Sequence, residues 1–415
     1  MQTLLKIFFR TFFDNSIIRT FLTVFSITIS SAAVAVIMIL FTLSVRAVDA
    51  PKFVKNYITE EIENLDFESQ FEFGRVQIAL SENFNPKIIV SDVTIYDNVD
   101  SLPFLEISKL ELGASLRQIS TGNFNLSTIL LDGITIGVSR DITGDYSIKF
   151  GQNSLLTSEV DVFSPASMGL RKFFEREAFL DLENFTVTSM TVQYDDQKES
   201  KLWVIDGARI ELNKQLDDVF VRGDAAFLMG GADISMLQVN YETNLKSGDG
   251  SVGILFEGFP SKEIAAQAPA LSWLNVVEAP ISGAFRTKVG SEMEVDEINA
   301  SLRIGSGVIR ADDKSKPLRF DNANVYFSYN RKINLLNFEE ITINSTDLQT
   351  ILAGSVQLKV DENKGTYYTG TLKATELKAN PLEIYERPLE FEDVAIDFLL
   401  KPKPFNLEIL KLSAR

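Results

Sequence analysis

Cysteine and histidine are both absent from this 415-residue chain. The first absence removes any disulfide framework and any thiol nucleophile, and the second removes the Ser-His-Asp triad and the usual zinc sites. Carboxylate pairs or a Ser-Lys arrangement remain conceivable, but Asp and Glu fall in turn-like positions with no spacing that singles out a pair. The residues therefore point to a protein that is not an enzyme and that uses no cofactor or metal. Positive charge is also scarce, with 40 Lys and Arg against 57 Asp and Glu and a formal charge of −17. Nucleic acid is excluded as a partner, because phosphate binding needs clustered Lys and Arg. The acidity reads as solubility. Only two Trp accompany 31 Phe.

Charge of either sign is missing from Thr20 to Val45, a run of 26 residues between Arg19 and Arg46. A bilayer core about 30 Å thick needs roughly 20 helical residues, so the run is long enough to span it. Its Ser and Thr can bond back to helix carbonyls and do not spoil the span. A cleaved signal has an apolar region of only about 7–15 residues, and no small-x-small site closes this run. Lys6, Arg10, Arg19 and Arg46 against Asp14 make the first 46 residues +3, so the −17 total leaves −20 for the remainder. The positive-inside rule then keeps the N-terminus cytoplasmic and exports the chain from about residue 50.

Beyond a juxtamembrane helix expected over Pro51–Leu65, apolar residues alternate with polar ones at period two. Val76, Ile78 and Leu80 show it, as do Val93 with Ile95, Leu110 with Leu112, and Ile134 with Ile136 and Val138. Turn clusters such as Glu82 to Pro86 and Arg140 to Asp145 separate the runs, which predicts an antiparallel β meander. Periodicity lapses over Gly151–Ala166, where a loop or boundary is expected, and Ser167–Ala178 could form a short helix. A second helix is expected over Ser261–Val277, with Ser261 as N-cap and Pro269 kinking or splitting it.

A six-residue pattern recurs: apolar, any, Asp/Asn/Gly/Glu, small or apolar, any, Ile or Val. It appears at Val90–Ile95, Leu131–Ile136, Leu182–Val187, Ile205–Ile210, Phe320–Val325, Phe338–Ile343 and Phe391–Ile396. Regular alternation would put positions four and six on one face and position one on the other. The polar third position marks a bulge or a strand start. Repetition of a β unit implies an extended, stackable sheet. The pairs at positions four and six are candidates to line an apolar trough: Val93, Ile95, Ile134, Ile136, Val187 (position six of its unit), Ile341, Ile343, Val394 and Ile396. Periodicity alone does not separate such an open trough from an ordinary sandwich core.

Several motifs read better as turns. Gly248 to Gly253 fits a dinucleotide pattern, yet Val252 to Phe256 reads as strand where a phosphate site needs a helix start. Asp361 to Gly365 begins like a calcium loop but has Leu372 where a bidentate Glu is needed. Asp217-Asp218 and Asp312-Asp313 read as solvated turns.

The ordering resembles the AsmA-like superfamily, including its TamB-type and YhdP-type members, the bacterial relatives of bridge-like lipid transfer proteins. The anchor followed by Phe73-Gly-Arg-Val-Gln-Ile78, Leu110-Glu-Leu112, Ile129 to Ile136 and Arg140 to Gly144 is similar to that family's opening module. Phe256-Glu-Gly-Phe-Pro260, Ala279 to Gly283, Gly305-Ser-Gly307 and Tyr326 to Tyr329 resemble the YhdP-type subgroup. The resemblance implies a mostly β protein: an N-terminal transmembrane helix and then an elongated, curved antiparallel sheet forming a taco-like groove with few short helices. It implies a cytoplasmic tail over 1–19, the membrane helix over 20–45, an AsmA-like β module over 46–150 and a groove continuation over 151–415. The chain stops at Leu412-Ser-Ala-Arg415 just after a strand, which leaves a fragment and a short member needing partners as alternatives. The implied location is the bacterial inner membrane, with the bulk in the periplasm. The implied work is carrying phospholipid between inner and outer membranes, with an outer-membrane or periplasmic protein as a further partner. A scaffold for outer-membrane protein assembly, with its groove filled, is the rival reading.

Overall fold

The charge-free run is the core of a single long helix, α1 (Ser16–Val45), and Thr23–Val45 within it is apolar enough to cross a membrane. At about 1.5 Å per residue those 23 residues reach about 35 Å, enough for the hydrocarbon layer. Large side chains such as Phe25, Ile37 and Phe41 are exposed, as a helix facing lipid requires. The hydroxyls of Thr28 and Thr42 donate to the carbonyls of Val24 and Met38 at 2.9 and 2.8 Å, so both are satisfied within the helix. These coordinates come from a computed structural model describing residues 16–56, 69–97, 103–116, 125–143, 146–150, 166–176, 179–197, 201–228, 234–266, 269–291, 295, 297–310, 317–361, 365–380, 385–402 and 405–415. A helical turn at 52–56 matches the start of the expected juxtamembrane helix, and 57–65 lies outside the described residues, as do Asp312-Asp313 and the expected loop up to residue 165.

The rest is mostly strand. The first block comprises β1 (Val48–Asp49), β2 (Ser69–Glu72), β3 (Val76–Leu80), β4 (Pro86–Asp97), β5 (Pro103–Ala114), β6 (Leu126–Arg140) and β7 (Tyr146–Phe150). Helix α2 (Ala166–Phe174) precedes β8 (Asn184–Asp196), β9 (Lys201–Gln215), β10 (Asp218–Leu228), β11 (Ile234–Asn244) and β12 (Gly250–Pro260). An excursion then holds α3 (Ser261–Ala265), a 3-10 helix (Pro269–Val276) and β13 (Val277–Glu278). The chain continues through β14 (Pro280–Val289), β15 (Glu297–Ile304), β16 (Gly307–Ile309), β17 (Leu318–Phe320), β18 (Asn322–Asn330), β19 (Leu335–Asn344), β20 (Leu348–Asp361), β21 (Gly365–Ala379), β22 (Leu389–Pro402) and β23 (Phe405–Ser413).

Twenty strands form one sheet, and β13, β16 and β17 form a separate small one. Each main-sheet strand from β8 to β23 pairs antiparallel with the next. In the first block β2 and β3 share one edge of β4, and β5 and β7 share one edge of β6, so the strands stand in 18 rows. The expected wholly antiparallel meander has one exception, since β6 and β8 run parallel from Thr128↔Asn184 to Arg140↔Asp196. The connection through α2 returns the chain to the end at which β6 began, as parallel pairing demands. The sheet does not close into a barrel.

The recurrent pattern has a physical form. Its third residue sits at positive φ in Asp92 (55°), Gly133 (71°), Gly207 (70°) and Asp393 (50°). Asn184 and Asn322 instead open β8 and β18, and around Glu340 the ladders of β19 shift register. Val187-Thr-Ser189-Met190 and Phe256-Glu-Gly258-Phe259 carry the same device, with φ of 51° at Ser189 and 71° at Gly258. The extra residue breaks the two-residue alternation, and this corrects the expectation for position one. Val90 and Val93 both join the core, and the rings of Phe256 and Phe259 lie 6.0 Å apart. In the bulged units positions one, four and six therefore share a face. Register places the bulges of β4, β6, β8 and β9 level with one another. Such a row bends successive strands at one height and creases the sheet.

Candidate functional site

One apolar strip runs along a single face of this creased sheet. Its buried members extend from Ala50 and Val76 through Ile134, Val187 and Phe227 to Leu336, Val356 and Phe398, and they form one contiguous cluster. No second sheet of comparable size covers that face among the described residues. Instead α2 covers one part: its Phe174 packs with Leu182, Ile129 and Leu212 in a group that shares Leu110, Leu131 and Phe185 with the strip. The α3 and 3-10 excursion covers another. Outside these covers many strip residues, Ile95, Leu237, Ile254 and Phe285 among them, are only half-buried.

An apolar hollow of about 480 Å³ spans β9 to β18. Its walls include Trp203, Phe227, Phe256, Phe259, Phe285 and Tyr329, and its polar members are Glu263, Arg286 and Thr287. Trp203 and Tyr329 stand six rows apart, roughly 29 Å on a flat sheet at ~4.8 Å per row. That both line one cavity shows how strongly the sheet curls. Aromatic contacts cross the strands here, from Trp203 to Phe227 (6.4 Å), Phe227 to Phe259 (5.3 Å) and Phe256 to Phe285 (5.5 Å). A second hollow of about 150 Å³ lies over β18 to β22, lined by Trp273, Leu336, Phe338, Ile341, Leu372 and Phe398 among others. The two are separated by the excursion, whose Ile264, Ala270 and Leu271 face the first and whose Trp273 faces the second.

Eight of the nine sequence candidates join this strip or pack against it, without converging at a point, and Val394 lies outside the cluster. Val93 and Ile134 are buried on either side of Ile107, and Val187 is buried between Leu131 and Ile210. Ile95, Ile136, Ile341, Ile343 and Ile396 are half-buried against the same cluster. Val394 is buried opposite Ala374. They fall into two stretches, β4–β8 and β19–β22, and of the nine Ile341 alone lines one of these two hollows. The walls of the larger hollow escaped the sequence reading, although its Phe256–Phe259 pair is a bulge of the recurrent kind.

The proposed N-cap role of Ser261 is corrected: residue 260 is the cap, no side chain caps the helix, and the Ser261 hydroxyl donates to the Val277 carbonyl. The Ser261 N–H bonds to the Ala279 carbonyl at 3.1 Å and Arg310 N–H to Val276 at 2.8 Å, so the neck of the excursion is closed. Pro269 does split the helix there, starting the 3-10 segment. Its tip reaches β21, where the hydroxyls of Ser272 and Tyr368 lie 2.9 Å apart. Backbone hydrogen bonds from Ser272 and Trp273 reach the same phenol oxygen, and burial pushes the Tyr368 phenol above its ordinary range. The Trp273 ring meets Phe338 edge-on at 6.4 Å, while its buried Nε1 has no partner among the described residues.

Polar residues away from the strip tie neighbouring strands together. Asp132 accepts from the hydroxyls of Thr188 (2.6 Å) and Ser189 (2.8 Å), which hold its carboxyl below the usual range. Glu111 is partly buried, which raises its pKa, but hydrogen bonds from Lys87 and Lys109 outweigh this and lower it. The Gly248–Gly253 motif is a turn followed by β12, and Asp361 and Gly365 face each other across the β20–β21 hairpin. No group of three or more potential metal ligands occurs among the described residues. Compared with family models, with curated proteins and with solved structures, the chain matches none.

Proposed function

We propose that the chain is a bacterial inner-membrane protein with a cytoplasmic N-terminus, whose periplasmic β-groove holds phospholipid and conducts it between the inner and outer membranes. The observation that carries this reading is the half-buried apolar strip, opening into a hollow of about 480 Å³, on a sheet joined to a membrane-length helix. Moving an acyl chain through water costs about 0.8 kcal/mol per methylene. A trough of Val, Ile, Leu and Phe removes most of that cost, while the headgroup stays in water at the open side.

The test is mass spectrometry of lipid extracted from the full chain purified in mild detergent, in wild type and in Ile136→Asp and Ile343→Asp. Both positions are half-buried, so water can reach the new carboxylate. The variants are expected to keep their circular-dichroism melts and to lose bound phospholipid. Wild-type protein that is stable without lipid would overturn the reading in favour of the scaffold, and so would Asp variants that keep wild-type lipid.

A further inference from the structure

We propose that the helical turn at residues 52–56 is a second membrane contact: Phe53 enters the edge of the acyl layer while Lys52 and Arg46 meet anionic headgroup phosphates, seating the near end of the trough on the bilayer. The proposal rests on α1 crossing the membrane, and either orientation of α1 leaves the turn at a surface. Phe53 is 73% exposed, more than Phe21 and Phe41 of α1 at 67%, and is the most exposed phenylalanine among the described residues. That exposure is imposed by the fold. The Ala50 N–H bonds to the Val76 carbonyl at 2.9 Å and the Val54 N–H to the Pro51 carbonyl at 3.0 Å, while Val54 packs against the core strip. With Val54 turned to the sheet, Phe53 is left facing outward. The charges around it also stand apart from the rest. From Arg46 to Asn56 the chain has Arg46, Lys52 and Lys55 against Asp49 alone, whereas everything beyond residue 46 sums to −20, and the acidic Glu60, Glu61 and Glu63 come only after the turn. Asp49 is already matched, by Arg75 at 3.9 Å and by the side-chain amide of Gln77, which donates to it at 3.3 Å. Position decides what covers such a surface. The end of α1 packs against β3, β1 pairs with β3 at Val48↔Ile78, and only six residues separate Val45 from Lys52. The turn therefore stands beside the headgroup layer, where an apolar ring settles at the acyl boundary and the cations beside it reach the phosphates. Ala50, two residues before the turn, is the first member of the strip, so docking brings the start of the trough to the lipid surface.

Tryptophan placed at three exposed positions of the full chain reads the contact: Phe53→Trp, Ile37→Trp inside α1, and Ile333→Trp in the turn between β18 and β19. Each variant is reconstituted into phosphatidylcholine vesicles with or without phosphatidylglycerol, with bromine carried either near the headgroup or in mid-chain. The unmodified chain, run alongside, subtracts Trp203 and Trp273. Bromine quenches an indole it touches. The Ile37→Trp signal should fall with mid-chain bromine, the Phe53→Trp signal with bromine near the headgroup and more so with phosphatidylglycerol present, and the Ile333→Trp signal with neither. Adding Lys52→Gln to the Phe53→Trp chain should lower its docked-to-free ratio about fivefold, the worth of one cation at an anionic surface. The same change should leave quenching at position 37 as it was. Quenching at 37 without quenching at 53, or equal quenching at 53 and 333, would overturn the contact and leave the anchor standing. No quenching at 37 would overturn the anchor and the contact with it. Quenching at 53 that is equal in neutral vesicles and unmoved by Lys52→Gln would remove the headgroup pairing and so overturn the proposal too.

Discussion

Two glycines show how the same backbone conformation carries different costs. Gly133 and Gly207 both hold φ near +70°, but a Cβ at Gly133 would lie 2.5 Å from the Ser108 hydroxyl oxygen, whereas one at Gly207 meets nothing within 4 Å. Gly207→Ala should therefore lose only the left-handed backbone penalty, about 1–2 kcal/mol. Gly133→Ala should lose that and the clash, and chemical denaturation of the two variants side by side measures the difference. Asp132 and Glu111 give a second residue-scale expectation. Both carboxyls have lowered folded values, so their stabilisation is complete above the ordinary carboxylate range and is lost as pH falls through those folded values. Asp132→Asn should flatten the acid limb of a pH–stability curve below about pH 4 while changing its slope little at neutral pH. An unchanged acid limb would show that the Thr188 and Ser189 hydrogen bonds do not stabilise the charged form.

At the scale of the element, the bulge is the unit that the residues spell most clearly. The polar third position correctly marked Asp92, Gly133, Gly207 and Asp393 as irregular and Asn184 and Asn322 as strand starts. What it did not reveal was the face of position one, because a left-handed residue shifts the alternation and no side-chain pattern records the shift directly. Ser189 and Gly258 were missed because their units break the pattern, the first with Ser at the third position and the second with Ser261 at the sixth. The split of the 261–276 segment at Pro269 was legible, since Pro has no N–H to continue a helix. The use of the Ser261 hydroxyl was not, because its acceptor, the Val277 carbonyl, lies sixteen residues away. The candidate strip was legible as a face, while its hollows depend on curl and on where the excursion lies. Val93→Asp separates buried floor from open floor: Val93 is 7% exposed, so a carboxylate there has neither water nor partner. It should lower the melting temperature sharply where Ile136→Asp does not.

For the whole molecule, the number of strands sets the length. A sequence-order count of 25–30 strands predicts up to about 120–145 Å along the sheet at ~4.8 Å spacing, but many strands here are longer, and 18 rows reach at most about 80 Å. Small-angle scattering of the part beyond α1 should still give a radius of gyration above the compact expectation of about 21 Å for 365 residues. A value at that figure would mean that the groove folds shut in solution. Alkaline or high-salt washing should leave the full chain in the membrane, and a mature N-terminus near residues 47–51 would contradict the anchor. The order of the strands also bears on how such a sheet comes into being. Almost every ladder joins a strand to its predecessor, so each new strand leaving the ribosome finds its template already formed, and little loop entropy is lost in joining it. The sheet can grow from one edge, like a zip. Among the described ladders the longest wait falls between β6 and β8, since residues 141–183 intervene before the parallel partner arrives. That pause divides assembly into an early block beside α1 and a later one that carries both hollows. A change that delays the crossover should therefore slow the formation of the second block while leaving the first intact.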